Sequence, residues 1–175
     1  MNRGYHEIKE HGKREFPFNI YPCSIPVDFS HVALHWHEEM EIIAVKKGKG
    51  RITVDTVSYP VEEGDILAVF PGQLHAISCG NGERMEYENI IFRLSMLMGD
   101  NGDGCTVHFL KPLQEGQAKN PVLIQRNQPD HEVFGKVIQE LDRFSEIRGN
   151  GYPLAVKGQL FLFLYYAYGR GILFT

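Results

Sequence analysis

The sequence predicts a mainly β protein, a barrel or sandwich of short antiparallel strands followed by a pair of helices. Three observations carry this prediction. Between Phe16 and Met98 the apolar and β-branched residues come in short runs with almost no sustained helical period. Turn residues punctuate those runs at Gly48, Glu63-Gly64-Asp65, Pro71-Gly72 and Gly80-Asn81-Gly82. Past Pro129 the apolar period changes from that of strands to that of helices.

Taken in order, the expected strands are Glu39–Lys47, Gly50–Val54, Ser58–Val61, Ile66–Phe70, His75–Ser78 and Met85–Leu94. Asp55-Thr56 is an unexpected turn, because a two-residue hairpin prefers Asn-Gly or Asp-Gly there. The Gly99–Gly104 loop has glycines and acids but neither the alternate spacing nor the closing Glu of a calcium loop, and reads as a solvated connection. Asp130 is the expected N-cap of a helix whose apolar face is Val133, Phe134, Val137, Ile138, Leu141 and Phe144, with Lys136, Glu140 and Arg143 opposite. After Gly149-Asn150-Gly151, Pro153 suits the first turn of a second helix, which Gly169 and Gly171 end. Its Leu160–Tyr168 stretch is apolar on every side and needs cover from the first helix on one side and from the barrel or a second subunit on the other.

Composition bounds the function. The chain has 175 residues, enough for one domain, and its 43% hydrophobic and 23% charged content supports a real core and excludes wholesale disorder. A net charge of −4 gives no electrostatic grip on DNA. Cys23, Cys79 and Cys105 are odd in number and widely spaced, which suggests a reducing compartment rather than a disulfide framework. The start lacks an apolar leader, and the Leu160–Tyr168 run falls far short of the roughly 20 residues a membrane helix needs, so a cytoplasmic protein is expected. No nucleophile elbow, P-loop or dinucleotide fingerprint is present.

The chemistry concentrates in His35-Trp36-His37-Glu38-Glu39-Met40-Glu41. On a regular strand His35, His37, Glu39 and Glu41 share one face, and the next residues of that parity, Ile43 and Val45, are apolar. The polar cluster therefore lies at one end of a hydrophobic interior, where it needs partners: a metal ion, a ligand or one another. Glu39 keeps that direction only without a bulge, and Glu38 points outward. Downstream, the strand after Gly64-Asp65 bends at Pro71-Gly72 and presents His75. Tyr87 and Arg93 share a parity on the last strand and are further ligand-binding candidates. Trp36 has the opposite parity and is expected outside the barrel, under the helices. His31 belongs to the approach loop, and His6, His11, His108 and His131 show no partner pattern.

The two segments, His-x-His-x-x-x-Glu over His35 to Glu41 and Gly-x-x-x-x-x-x-Pro-Gly-x-x-His over Gly64 to His75, resemble the two motifs of the cupin family of jelly-roll-like double-stranded β-barrels. In metal-binding cupins the matching positions are the ligands, which here are His35, His37, Glu41 and His75. Such a set suits a divalent Zn, Ni, Fe, Mn or Cu ion, and a metal-free polar pocket is the alternative. Two departures weaken a metal-enzyme reading more than the fold: the interval from Gly64 to Pro71 is one residue longer than usual, and no Asn follows three or four residues beyond His75.

Read with its flanks, Tyr87-Glu88-Asn89-Ile90-Ile91-Phe92 and Tyr152-Pro153-Leu154-Ala155-Val156-Lys157, the chain looks like the N-terminal effector-binding region of AraC-type bacterial transcription regulators, over about Phe16 to Tyr168. That resemblance implies an N-terminal arm (1–15), a cupin sensor barrel (16–112), and a linker with a helical dimerisation segment (113–175). It also implies a small-molecule effector, often a sugar, bound by His35, His37, Glu41, His75, Tyr87 and Arg93, and a homodimer formed through the C-terminal helices. DNA would be read by a helix-turn-helix region absent from this sequence, which has only seven residues after Tyr168 against the hundred or so required. No membrane partner is expected. The alternatives are a stand-alone metal-dependent cupin enzyme, of dioxygenase or sugar isomerase type, and a scaffolding dimer; the lack of a further catalytic constellation favours the sensor.

Overall fold

Strand β3 (Met40–Val54) organises the molecule, here a computed structural model that describes residues 3–100 and 102–172. Of the arm, the Gly99–Gly104 loop and the C-terminal tail, residues 1–2, 101 and 173–175 lie outside the described set.

The sequence reading splits β3 at Gly48, but the strand runs through and changes sheets instead. Its first part pairs with β7 (Met85–Phe92), from Met40↔Phe92 to Gly48↔Met85, and with β5 (Ile66–Val69), from Glu41↔Val69 to Ala44↔Ile66. Its second part pairs with β4 (Val57–Glu62) and β6 (His75–Ser78). The register shifts between Val45 and Lys47, a bulge that bends a strand from one sheet into another. Gly48 follows at φ +77°, where a Cβ would meet the Arg84 carbonyl oxygen at 2.0 Å, so only glycine fits the crossing.

Three strands escape the sequence reading. Strand β1 (Phe18–Ile25) carries Pro22 and survives because it is an edge strand, bonded only to β7. Strand β2 (Val32–His35) pairs with β6, and β8 (Val122–Ile124), only three residues long, pairs with β5. The result is two antiparallel sheets, ordered β1-β7-β3-β5-β8 and β2-β6-β3-β4, that share β3. This is the cupin-type double-stranded barrel with C-terminal helices that the motif order predicts. At the β3–β4 hairpin Asp55 takes φ +53°, a left-handed conformation that Asp tolerates better than most residues. Its backbone amide is bonded to the Leu74 carbonyl.

Helical structure follows. A π-helical turn at Thr106–Leu110 runs into α1 (Lys111–Gln114), α2 spans His131–Ile147 and α3 spans Tyr152–Tyr168. Asp130 stands at the expected N-cap position of α2, but its carboxylate accepts from Arg170 Nε at 2.7 Å and caps nothing. Arg170 also donates to the Leu123 carbonyl, tying the end of α3 to β8.

Alternation divides the core in two. Ile43, Val45, Leu67, Val69, Ile77 and Tyr87 fill the barrel interior. Met40, Ile42, Ala44, Ile66, Ala68 and Phe92 face outward and are covered by Phe134, Leu141, Leu160 and Phe163 of α2 and α3. Residues 40–45 are therefore buried on both faces, which explains their unbroken apolar character apart from Glu41. Trp36 does not join the helical core; its ring stacks on His6 of the N-terminal arm at 4.2 Å.

Phe134 is fully buried, with its ring 5.2 Å from that of Phe163. Phe134→Ala is expected to cost about 3–5 kcal/mol of unfolding free energy, read by urea denaturation; a loss under about 1 kcal/mol would contradict this helix–sheet core.

Candidate metal centre

Three imidazoles and a carboxylate converge at one end of the barrel. His35 ends β2, and β6 starts with His75, its direct cross-strand partner. Glu41 enters from β3 in the facing sheet, on the same parity as Ile43 and Val45. His37 lies in the bend between β2 and β3, where its carbonyl accepts from the Gly72 amide at 2.9 Å. That bond locks the His37 backbone to the Pro71-Gly72 turn and so links the two sequence motifs. Gln73, in the same turn, accepts from the Phe70 amide through its side chain.

The orientation of the rings follows from their backbone partners. Nδ1 of His35, His37 and His75 lies 2.8, 3.1 and 3.0 Å from the carbonyl oxygens of Ala33, Glu39 and Gln73. A carbonyl only accepts, so each Nδ1 is the donor, and in the neutral ring each Nε2 carries the lone pair. Nε2 of His37 and of His75 faces the same Glu41 oxygen at 2.9 and 3.2 Å. The four ligand atoms lie within 4.8 Å of one another. Backbone carbonyls that fix the tautomer from behind while Nε2 groups converge on a carboxylate are the arrangement a divalent metal requires, so these residues fit a bound ion.

Electrostatics agree. Burial disfavours the Glu41 carboxylate, yet the charge of His75 and the hydrogen bond from His37 outweigh it and hold the group well below the carboxylate range. Burial likewise disfavours protonated His37, but Glu41 prevails and raises it. His35, desolvated and close to His75, is pushed down and stays neutral more readily.

Beside the cluster a cavity of about 500 Å³ opens at the barrel mouth, lined by His35, Glu41, Tyr87, Asn89 and, from the arm, Lys9 and His11. Tyr87 Oη, Asn89 Oδ1 and His11 Nε2 are buried there without a hydrogen-bond partner. Burial, with the Cys23 thiol and the Glu41 carboxylate close by, pushes the Tyr87 phenol far up, so it remains a donor.

Of the candidates, the structure brings His35, His37, Glu41 and His75 together and sets Tyr87 in the adjoining cavity. Arg93 lies outside that cavity, its Nε donating to Glu39 at 2.7 Å. Sequence reasoning missed Asn89, although it shares the parity of Tyr87 on β7, and treated His11 as ordinary although it is 5% exposed with its ring 6.3 Å from that of His37. No local pattern marks His11, because an irregular arm carries it. His131, by contrast, donates to the carbonyl of Gly64, the first residue of the second motif, at 2.7 Å and holds α2 to the β4–β5 turn rather than joining the ligand cluster.

The sequence profile of the family described as AraC-like ligand binding domain matches residues 26–164. The uncharacterized HTH-type transcriptional regulator YdeC of Bacillus subtilis is 27% identical over 88 residues, covering 50% of this chain and 30% of that protein. The chain thus spans under a third of the curated relative it matches. Among solved structures, a cupin protein from Bacteroides fragilis aligns at 25% identity and TM-score 0.36, covering 49% of this chain and 70% of that one. A Cupin 2 conserved barrel domain protein from Salinispora arenicola aligns at 20% identity and TM-score 0.42, covering 51% and 74%.

Two outcomes are expected. After incubation with Zn, Ni, Fe or Mn, elemental analysis should find near-stoichiometric metal that His75→Ala abolishes and His131→Ala leaves intact; equal effects would refute the assignment. In chelator, the Glu41 contribution to stability is present above its ordinary value of 4.5 and is lost as pH falls through its lower folded value. The His37 contribution is present below its ordinary 6.5 and is lost as pH rises through its higher folded value. The contribution of the His37–Glu41 pair to the stability of the metal-free chain should therefore be greatest between about pH 4.5 and 6.5. The difference in thermal midpoint between wild type and Glu41→Gln should peak in that window, and a difference that keeps growing to about pH 8 would contradict the pairing.

Proposed function

The chain belongs to the family of AraC-like ligand-binding domains, and on that premise we propose that it is the effector-sensing and dimerising module of an AraC-type transcription regulator. The cavity at the barrel mouth carries the reading: about 500 Å³ suits a molecule of sugar size, and the unpartnered Tyr87 Oη and Asn89 Oδ1 are groups that a ligand would satisfy. A sugar or related polyol matches them, because a hydroxyl can accept from Tyr87 and another can donate to Asn89. Lys9, its ammonium 4.9 Å from the centre of the Tyr21 ring, adds a cation at the rim.

His35, His37, Glu41 and His75 would hold a divalent Zn, Ni, Fe or Mn ion, whose open coordination positions would bind an oxygen of the effector. The helical pair would supply the dimer. Leu154, Phe161, Leu162 and Tyr165 of α3 are exposed and fall with Gly158 on one face, at spacings that repeat every three or four residues. Such a stripe fits a second copy of itself across a two-fold axis. DNA contact would fall to a helix-turn-helix region outside residues 1–175, in keeping with the description of the regulator that the chain partly matches. The setting would be cytoplasmic; no helix among the described residues is long and apolar enough to cross a membrane.

The closeness of four ligand atoms also favours a second reading, a metal-dependent cupin enzyme of dioxygenase or sugar isomerase type. Turnover of a bound sugar by the metal-loaded chain would decide for it.

Thermal-shift titration with a panel of sugars, polyols and sugar acids, with and without chelator, tests the sensor. At least one compound should stabilise the wild type, and Tyr87→Phe should weaken its binding about tenfold, the worth of one hydrogen bond. Silence across the panel, or unchanged binding by Tyr87→Phe, would count against the cavity as the effector site. Leu162→Glu should give monomers in sedimentation velocity, and an unchanged dimer would sink the α3 interface.

A further inference from the structure

Glu39 stands between two ligand-cluster residues in sequence, yet its carboxylate lies on the opposite side of His37 from Glu41. One oxygen, Oε2, is 3.7 Å from His37 Nδ1, the nitrogen that donates to the Glu39 carbonyl. The other, Oε1, accepts from Arg93 Nε at 2.7 Å. Glu39 is 2% exposed, and a buried carboxylate is tolerated only when paired. Arg93 provides that pairing from the surface, its side chain half exposed and its backbone amide bonded to the Pro17 carbonyl. His35 and His75 rest their Nδ1 on carbonyls alone; among the described residues only His37 has a carboxylate oxygen within 4 Å on that side as well.

We propose that Glu39 and Arg93 are positioning residues for His37: Arg93 holds the Glu39 carboxylate, and Glu39 holds the Nδ1 side of the imidazole, so that Nε2 stays aimed at Glu41. The inference rests on the reading of His35, His37, Glu41 and His75 as metal ligands. Carboxylates behind a ligating imidazole fix its tautomer and raise its basicity, and losing one lowers metal affinity by about 10–100-fold. It also gives Arg93 a role that parity alone does not suggest: it acts on the cluster through His37 rather than by touching an effector.

The test is Co(II) titration of the chelator-stripped full chain, followed by visible absorption, with thermal unfolding of the metal-free protein as a check on folding. Glu39→Gln preserves shape and removes the buried charge at this position, which makes it the decisive variant. It should weaken Co(II) about 10–100-fold and change the absorption band. Arg93→Gln should weaken binding similarly, and Arg93→Lys, which restores a cation, should recover most of it. Wild-type affinity and spectrum in Glu39→Gln would overturn the proposal and leave the pair a structural salt bridge. A wild type that takes up no Co(II) would remove the metal reading and this inference together, so the two failures are told apart by the wild type alone.

Discussion

Burial of the Glu41 carboxylate inside an otherwise apolar barrel is the constraint around which this end of the molecule is arranged. At 1% exposure the charge cannot be solvated, and its neighbours along the inward face of β3 are Ile43 and Val45. Compensation comes from imidazoles, and each needs its own support. His75 is set by the Gln73 carbonyl, His35 by the Ala33 carbonyl and its pairing with His75, and His37 by the Gly72 amide and the Glu39 carbonyl. The sharp Pro71-Gly72 turn, with Gly72 at φ +81°, thus serves the site as much as the chain path. A polar centre of this kind is tolerable because every component has a partner, and a missing one would leave an uncompensated charge or dipole.

The same strand connects that centre to the rest of the fold. Alternate residues of β3 belong to two cores, one inside the barrel and one under α2 and α3. The bulge near Lys46 carries the strand from one sheet to the other, and the Lys46 ammonium binds Glu88 on β7 at 2.6 Å and Asp142 on α2 at 2.9 Å. Glu88 sits between Tyr87 and Asn89, which line the cavity. Sheet, helices and cavity wall are therefore joined through one short stretch of chain. With Lys46 partly exposed to solvent, these pairs add little stability singly, and their value is geometric.

Much of this was legible in the sequence, for identifiable reasons. Period-two parity put Glu41 with Ile43 and Val45, and the Gly-to-His segment placed His75 beside the first motif. The helical faces of α2 emerged because 3.6-residue periodicity is local. What escaped depends on contacts distant in sequence. Parity ends at His35, because β2 stops there and β3 starts at Met40, so the direction of Glu39 follows from the bend between them. Gly48 looked like a turn because a bulged strand changing sheets has the same local signature as a hairpin. Asp130 looked like a cap, but Arg170, forty residues on, competes for its carboxylate. The arm placed His6 on Trp36 and His11 at the cavity with no pattern to announce it.

Two-sided burial of residues 40–45 also bears on how faithfully the chain finds its fold. A one-residue slip of an ordinary half-exposed strand trades an apolar face for a polar one; here both faces are apolar, and hydrophobicity alone scarcely distinguishes the two registers. Glu41 breaks the tie. In the slipped register its carboxylate would leave His37 and His75 and enter the apolar layer beneath α2 and α3 among Phe134, Leu160 and Phe163. The residue at the heart of the ligand cluster is thus also the proofreading mark of the central strand, so selection for correct strand pairing and selection for the site act on one position.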